Sequence, residues 1–512
     1  MGGLRERTLE ELGHGVFDVL VIGGGIVGAR VAYDAARAGL RVALVDAGDF
    51  GGATSGASAR LVHGGLRYLG TGDFRLVRTA LRERDVLASR TAPHLVRPLP
   101  FVLSASGGQR SRCAAGLLVY AALDGFRRPL PRFVTQEEAA FLVPPLSFGG
   151  PASHAVYYEA ITNDSRLVLA TVTAAARSGA VVANYLRAVD LNLARGKISR
   201  VSLEGRGGEV TVRCRAVVNA TGPWLDLIRK MEDSGCKPVT RLSKGVHVVL
   251  RPDERWRAAV AVSLERGQQL YAVPCEGTIL LGTTEEEYCG DPSGVAAEPG
   301  DVAYLLGMAD QFLCPEMLRA ERVVSAFAGL RVLPRGEEAA LNASRDHLLR
   351  IGPGGMVSVA GGKLTTHRRI ALDALRHLPH RVRPRRLSLS DTPLPGASLV
   401  RDLGPFTRLD SSTVDHLLHL YGSETGKLLG YSFENENALE RITSGAPDLW
   451  AQVYHAIREE WTVTVEDVIY RRTTLGLRGF DTPRIRRMIS AALGSDPGSQ
   501  TPQPGLLGPL QG

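Results

Sequence analysis

None of the six cysteines, Cys113, Cys214, Cys236, Cys275, Cys289 and Cys314, stands in a Cys-x-x-Cys pair. Their scatter excludes the usual zinc spacing and gives no disulfide framework, so no metal site and a reducing compartment are expected. No apolar run reaches the roughly 18 residues of a membrane-spanning helix, although a segment lying on a membrane surface stays open. No run of five or more Lys or Arg occurs, and 13 Phe, 13 Tyr and 4 Trp are few for 512 residues. Without a basic tail or an aromatic stacking platform, nucleic acid is not an expected partner. The opening MGGLRERTLEELGHG has no apolar core, so no secretory leader is expected and the expected location is cytoplasmic.

What is present is ordinary globular material, 44% hydrophobic and 22% charged, in a chain longer than one hydrophobic core supports. The net charge of +8 suits an anionic substrate or an anionic lipid surface, and does not by itself choose between them.

The first chemical signal is FDVLVIGGGIVGARVAYDAARAGLRVALVD at 17–46. It reads as strand, glycine turn, alanine-rich helix and second strand. Gly23, Gly25 and Gly28 form G-x-G-x-x-G, which lets the backbone approach a pyrophosphate and the helix N-terminus face it. Asp46 closes the second strand, where a carboxylate accepts from a ribose diol. The ligand is therefore expected to be an adenine dinucleotide. A second strand, small-residue turn and helix at 216–228, AVVNATGPWLDLI, favours FAD over NAD.

Taken together, VIGGGIVGARVAYDAARAGL, HGGLRYL, NATGPW, LGTTEEEY and GGKLTTHR resemble the FAD-dependent glycerol-3-phosphate dehydrogenase family, in the family's order and over about residues 17–477. The resemblance implies oxidation of sn-glycerol 3-phosphate to dihydroxyacetone phosphate, with hydride passing to flavin N5 and electrons to a quinone. It also implies Thr54, Ser55 and Ser58 beside the flavin, Thr221 and Gly222 in the second turn, and Arg67, Tyr68, Arg331 and Lys363 on the substrate. The residues themselves agree in part. Gly64 and Gly65 would let the backbone come close to a planar ring, and the Arg67 fork suits phosphate. At 357–375, Gly361 and Gly362 make a turn into a helix, so N–H groups of Leu364, Thr365 and Thr366 would emerge at a positive helix end and stabilise a reduced flavin. Val332 follows Arg331 where the family usually has proline, and His367 stands where it commonly has tyrosine.

Alcohol oxidation also needs a proton acceptor near the hydroxyl. Candidates are His63, His247 and Tyr68. His247 is preferred, because SKGVHVVL at 243–250 alternates as a strand, placing His247 and Lys244 at one edge or end of a sheet, and Arg331 nearby would lower the proton affinity of the imidazole. Arg67, Arg331 and Lys363 would converge on a doubly charged phosphate, which weighs against an amine oxidase binding one carboxylate. Oxidation of a 2-hydroxy acid or amino acid, an oxidase using O2 on the same substrate, and a non-catalytic flavin-binding protein remain alternatives.

The expected fold is α/β: a Rossmann-like FAD-binding domain, an interleaved antiparallel-sheet substrate domain and a C-terminal helical domain. The expected bounds are an N-terminal extension at 1–16, the oxidoreductase region at 17–392, the helical domain at 393–493 and a disordered tail at 494–512. Within the region, FAD-binding parts are expected at about 17–110, 155–235 and 340–380, with substrate-binding parts including about 240–335. Residues 110–132, RSRCAAGLLVYAALDGFRRPLPR, place an apolar helix between arginines. They suit an anionic interface, so peripheral contact with the inner face of the cytoplasmic membrane is one expectation and a buried helix with solvated flanks the other. A homodimer is expected from the family alone.

Overall fold

The structure is a computed structural model that describes residues 3–70, 72–106, 110–147, 152–206, 208–263, 269–335, 347–388, 391–398, 409–494 and 506–507. Strands Val19–Ile22 and Val42–Val45 are apolar at every position, as a parallel strand covered on both faces must be. They lie in a six-stranded sheet of order His347–Ile351, Val357–Gly361, Val217–Asn219, Val19–Ile22, Val42–Val45, Val181–Ala183, parallel except at the His347–Ile351 edge. Helix Ile26–Arg37 is buried along almost its whole length because it packs beside helices Asp164–Arg177 and His367–Arg376 as well as the sheet. Its buried Arg30 is compensated by Asp34 at 2.9 Å and Asp391 at 2.8 Å.

A second, four-stranded sheet joins Leu186–Ala194, Lys197–Gly205 and Gly208–Cys214 to Val16–Phe17. The N-terminal extension is thus tied to the body. Helix Gly3–His14 buries Leu12, and Val16 pairs in parallel with Arg213.

Among the described residues the largest sheet has eleven strands, with Thr240–Leu250 inside it between Val323–Pro334 and Thr278–Gly282. It departs from the expected pattern in three ways. Arg97–Ser106 and Ala152–Ile161, which the sequence assigns largely to FAD-binding segments, pair with each other in this sheet. One neighbouring pair, Ala259–Ser263 with Arg97–Ser106, is parallel, which the more than a hundred residues of crossover between the two strands permit. His247 and Lys244 sit on an interior strand rather than at an edge, and a spacing of three puts them on opposite faces. Lys244 pairs with Asp301 at 2.8 Å, away from His247.

C-terminal helices Ser411–Tyr421, Thr425–Leu429, Trp450–Glu459 and Pro483–Leu493 enclose their own apolar core. Charged contacts fix them to both other regions. Asp49 accepts from Arg471 and Arg472, Glu460 accepts from Arg166 at 2.7 Å, and Glu276, at the tip of a hairpin of the large sheet, meets His419 at 3.3 Å and His416 at 3.8 Å. Of the 494–512 tail, only Gly494 and Leu506–Leu507 are among the described residues; the latter pair with Ala326 and Phe327.

Helix Arg110–Leu123 buries Leu117, Tyr120 and Ala121 and exposes Leu118 and Val119, with Phe126 and Leu130 exposed beyond it. Arg127 and Arg128 reach Asp85, and Arg132 reaches Glu138. Among the described residues no helix is long and apolar enough to cross a membrane, and no cluster of His, Cys, Asp or Glu is arranged to hold a metal ion.

Candidate active site

A cavity of about 1130 Å³ runs from the dinucleotide-type sheet to the face of the large sheet. Its walls gather Gly23, Gly25, Asp46, Thr54, Ser55, Ser58, His63, Thr221, Gly222, His247, Arg331, Gly361, Gly362, Lys363 and Leu364 from segments far apart in sequence.

At one end the glycine turn behaves as its spacing demands. Gly23 has φ +104°, and a Cβ on Gly28 would lie 1.8 Å from the Gly23 carbonyl oxygen, so the helix start packs against the turn with no room for a side chain. Gly28 itself is behind the wall. Asp46 accepts from Gly24 N–H at 2.6 Å and Gly48 N–H at 2.8 Å. Burial pushes its carboxyl up to about 6, against the two N–H groups and the charge of Arg471.

The Thr/Ser segment lines the cavity, but its hydroxyls are committed to the protein. Thr54 Oγ1 donates to the carbonyl of Leu330, Ser55 Oγ accepts from Ile26 N–H, and Ser58 Oγ donates to Asp164. Thr54 therefore ties this loop to the residue before Arg331. Thr221 Oγ1 donates to Asn219 at 2.7 Å and braces the second turn, while Trp224 and Met231 line the wall beside it without having been singled out from sequence.

Two groups of expected residues lie off the cavity wall. Gly64 and Gly65 do not line the cavity: a Cβ on Gly64 would meet the Tyr120 hydroxyl and Leu81, and one on Gly65 would meet the ring of Tyr68. The missing Cβ atoms leave room for tyrosine side chains. Thr365 and Thr366 are likewise buried behind the wall. Thr365 Oγ1 accepts from His63 N–H, and Thr366 N–H donates to the Lys363 carbonyl in a 3₁₀ turn, so only Leu364 of the three reaches the cavity surface.

At the other end His247 is 4% exposed and stacks on Phe327 at 5.1 Å between ring centroids. Neither ring nitrogen has a hydrogen-bond partner among the described residues. Burial first, then Arg331 and Arg60, push the imidazole down to about 3, so it is neutral near pH 7. Arg331 donates to Thr283 Oγ1 at 3.1 Å and the Thr284 carbonyl at 3.3 Å, with Glu285 at 3.6 Å. Thr283, Thr284 and Glu285 are wall residues that only their place in LGTTEEEY could have signalled. Val332 pairs with Leu242 inside a continuous strand, so no turn follows Arg331. Lys363 lies 3.8 Å over the ring of Tyr68, which stands behind the wall. Arg67 is on the adjoining turn Leu66–Leu69, but its side chain lies outside the described residues. His367 is fully buried and its Nδ1 donates to the Leu364 carbonyl at 2.7 Å, a role in the turn rather than in the cavity.

A cavity with an acid and a glycine turn at one end, an orphaned imidazole beside an arginine at the other, and a lysine on its wall fits a dinucleotide cofactor whose reactive ring meets a small anion. Comparison with known proteins agrees. Residues 18–368 match the model for FAD dependent oxidoreductases, and residues 389–491 match the C-terminal domain of alpha-glycerophosphate oxidase. Glycerol-3-phosphate dehydrogenase 2 of Mycobacterium tuberculosis is 34% identical, with 96% of this chain and 87% of that protein aligned. D-erythritol 1-phosphate dehydrogenase of Brucella abortus is also 34% identical, over 89% of this chain and 94% of that protein. The glycerol-3-phosphate dehydrogenase of Bacillus halodurans, solved with FAD, superimposes with a TM-score of 0.78 at 27% identity, covering 96% of this chain and 94% of that one. The fold and site define an FAD-dependent oxidoreductase. Within that class, the chain belongs to the FAD-dependent glycerol-3-phosphate dehydrogenase family, and its cofactor is FAD.

Proposed function

We propose that the enzyme oxidises sn-glycerol 3-phosphate to dihydroxyacetone phosphate and passes the electrons to a quinone. The observation that carries this reading is His247, buried, neutral and unpartnered on a wall that also holds Arg331 and Lys363. Held between the glycine turn at Gly23 and Gly25 and the wall at Gly361 and Gly362, FAD would supply the two-electron acceptor, at N5, for the carbinol hydride. His247 takes the hydroxyl proton. Arg331 and Lys363 hold the phosphate, whose negative charge offsets the cations that depress His247, so substrate binding strengthens the base it needs. Glu285, 3.6 Å from Arg331, occupies the guanidinium until the phosphate competes for it. Exposed Leu118, Val119, Phe126 and Leu130, with Arg110 and Arg112 on the same helix, favour a face resting on an anionic membrane where a quinone is available.

The test is anaerobic loss of the visible flavin absorbance on adding substrate. sn-Glycerol 3-phosphate is expected to bleach the flavin, D-erythritol 1-phosphate more slowly, and glycerol and glycine not at all. Bleaching by glycine or by unphosphorylated glycerol, with none by the phosphate ester, would overturn the substrate assignment.

A further inference from the structure

We propose that the C-terminal helical domain completes the adenosine end of the FAD site, with Arg471 as a cofactor-binding residue and Thr464 and Glu466 as further wall residues. The inference rests on FAD as cofactor and not on the identity of the substrate.

The end of the cavity beside Asp46 is where the adenosine ribose belongs, since in a βαβ unit the acid after the second strand takes the diol and the glycine turn takes the pyrophosphate. There the wall is not built from the dinucleotide fold alone. Asp46 and Asp49 come from the loop after Val42–Val45, Tyr185 from the neighbouring sheet's approach, and Thr464, Glu466 and Arg471 from the helical domain. Those last three lie outside the segment that matches the FAD-dependent oxidoreductase model, so nothing in the general fold calls for them.

Arg471 is held with unusual care for a residue of an interface. Thr464 caps the turn Val465–Asp467, and Asp467 accepts from Val463 N–H at 2.8 Å and Thr464 N–H at 2.9 Å. Asp467 then takes Arg471 Nη2 at 2.6 Å and the Tyr185 hydroxyl at 2.6 Å, while Asp49 takes Arg471 Nε. Docking the domain does not require this arginine. Arg472 already gives Asp49 two bonds, from Nη1 and from Nη2, the latter at 2.9 Å, and does not face the cavity. Arg471 is the second cation on that carboxylate, it does face the cavity, and its Nη1 has no partner among the described residues. A planar guanidinium fixed at two corners and open at the third is preorganised to donate to a phosphate or ribose oxygen, at little entropic cost.

The experiment compares FAD with FMN, which lacks the adenosine half. Apoprotein of the full chain, wild type and Arg471→Met, is titrated with each flavin and followed by flavin fluorescence. The expected result is an FAD affinity weakened about tenfold or more in the variant, the scale of one hydrogen bond from a charged donor, with FMN affinity unchanged. Unchanged FAD affinity, or FAD and FMN affinities falling together, would overturn the assignment. Arg472 keeps Asp49 paired in this variant. Should Arg471→Met fail to fold, hydrogen exchange of the wild-type chain decides the matter: FAD is expected to slow amides in 461–475 and FMN is not, and equal exchange with the two flavins overturns the proposal.

Discussion

Two buried histidines in this molecule have opposite chemistry. His247 lies against the cavity with Arg331 and Arg60 as its charged neighbours, and is pushed down to about 3. His416 lies in the helical domain between Asp448 at 3.1 Å and Glu276 at 3.8 Å; burial alone would lower it, but the carboxylates more than offset this and raise it to about 9. Both are nearly inaccessible, 4% and 6% exposed, so burial does not separate them. The sign of the neighbouring charge does. His416 is spent holding the hairpin tip at Glu276 to the helical domain, whereas His247 has its lone pair in reserve for something that enters the cavity.

The sharpest way to break this contrast is at His247. His247→Gln keeps much of the volume and removes the base, so kcat is expected to fall by roughly 10²- to 10⁴-fold while FAD binding stays as in wild type. A variant with wild-type turnover would return His247 to a packing role. Arg331→Ala comes next. Losing the phosphate contact is expected to cost about 2 to 5 kcal/mol in kcat/KM, with the bound-flavin spectrum unaltered. Rates on sn-glycerol 3-phosphate equal to wild type would remove Arg331 from the substrate site.

How far such roles could be read from sequence depended on how local their causes are. Gly23, Gly28 and Asp46 were legible because turn, helix and acid follow one another within a single unit, and its dihedral and contact demands fall on the residues that make it. Arg331 and His247 were legible as residues, and the spacing of three from Lys244 already implies opposite faces, but the pairing that makes this strand an interior one with Arg331 beside it is long-range and has no local signal. Gly64 and Gly65 look like ring-approach glycines because a sequence says where a Cβ is missing and not what fills its place. That strands 97–106 and 152–161 pair in the large sheet has no local signal either, since a strand's partner is a long-range choice. Arg471 lies more than 400 residues from Asp49, and Glu276 reaches His416 across another 140; no local pattern announces either pairing.

The smaller effect tests the other half of the comparison, and its sign is fixed by linkage. The folded-state pKa of His416, about 9, is above its ordinary value of 6.5, so its contribution to stability is complete below about pH 6.5 and is lost as pH rises through 9. The shift corresponds to a ceiling on the order of 3 kcal/mol. Against the burial that would raise them, Glu276 is held below its ordinary carboxylate value by His416 and His419 and Asp448 chiefly by His416, so both carboxylates stay ionised across that window. His247 has the opposite slope, contributing stability above pH 6.5 that is lost as pH falls toward 3. His416→Gln should therefore lower the thermal midpoint clearly at pH 6 and hardly at pH 9.5. Equal losses at the two pH values would mean that His416 stabilises by shape alone, and that the two histidines differ in packing rather than in charge.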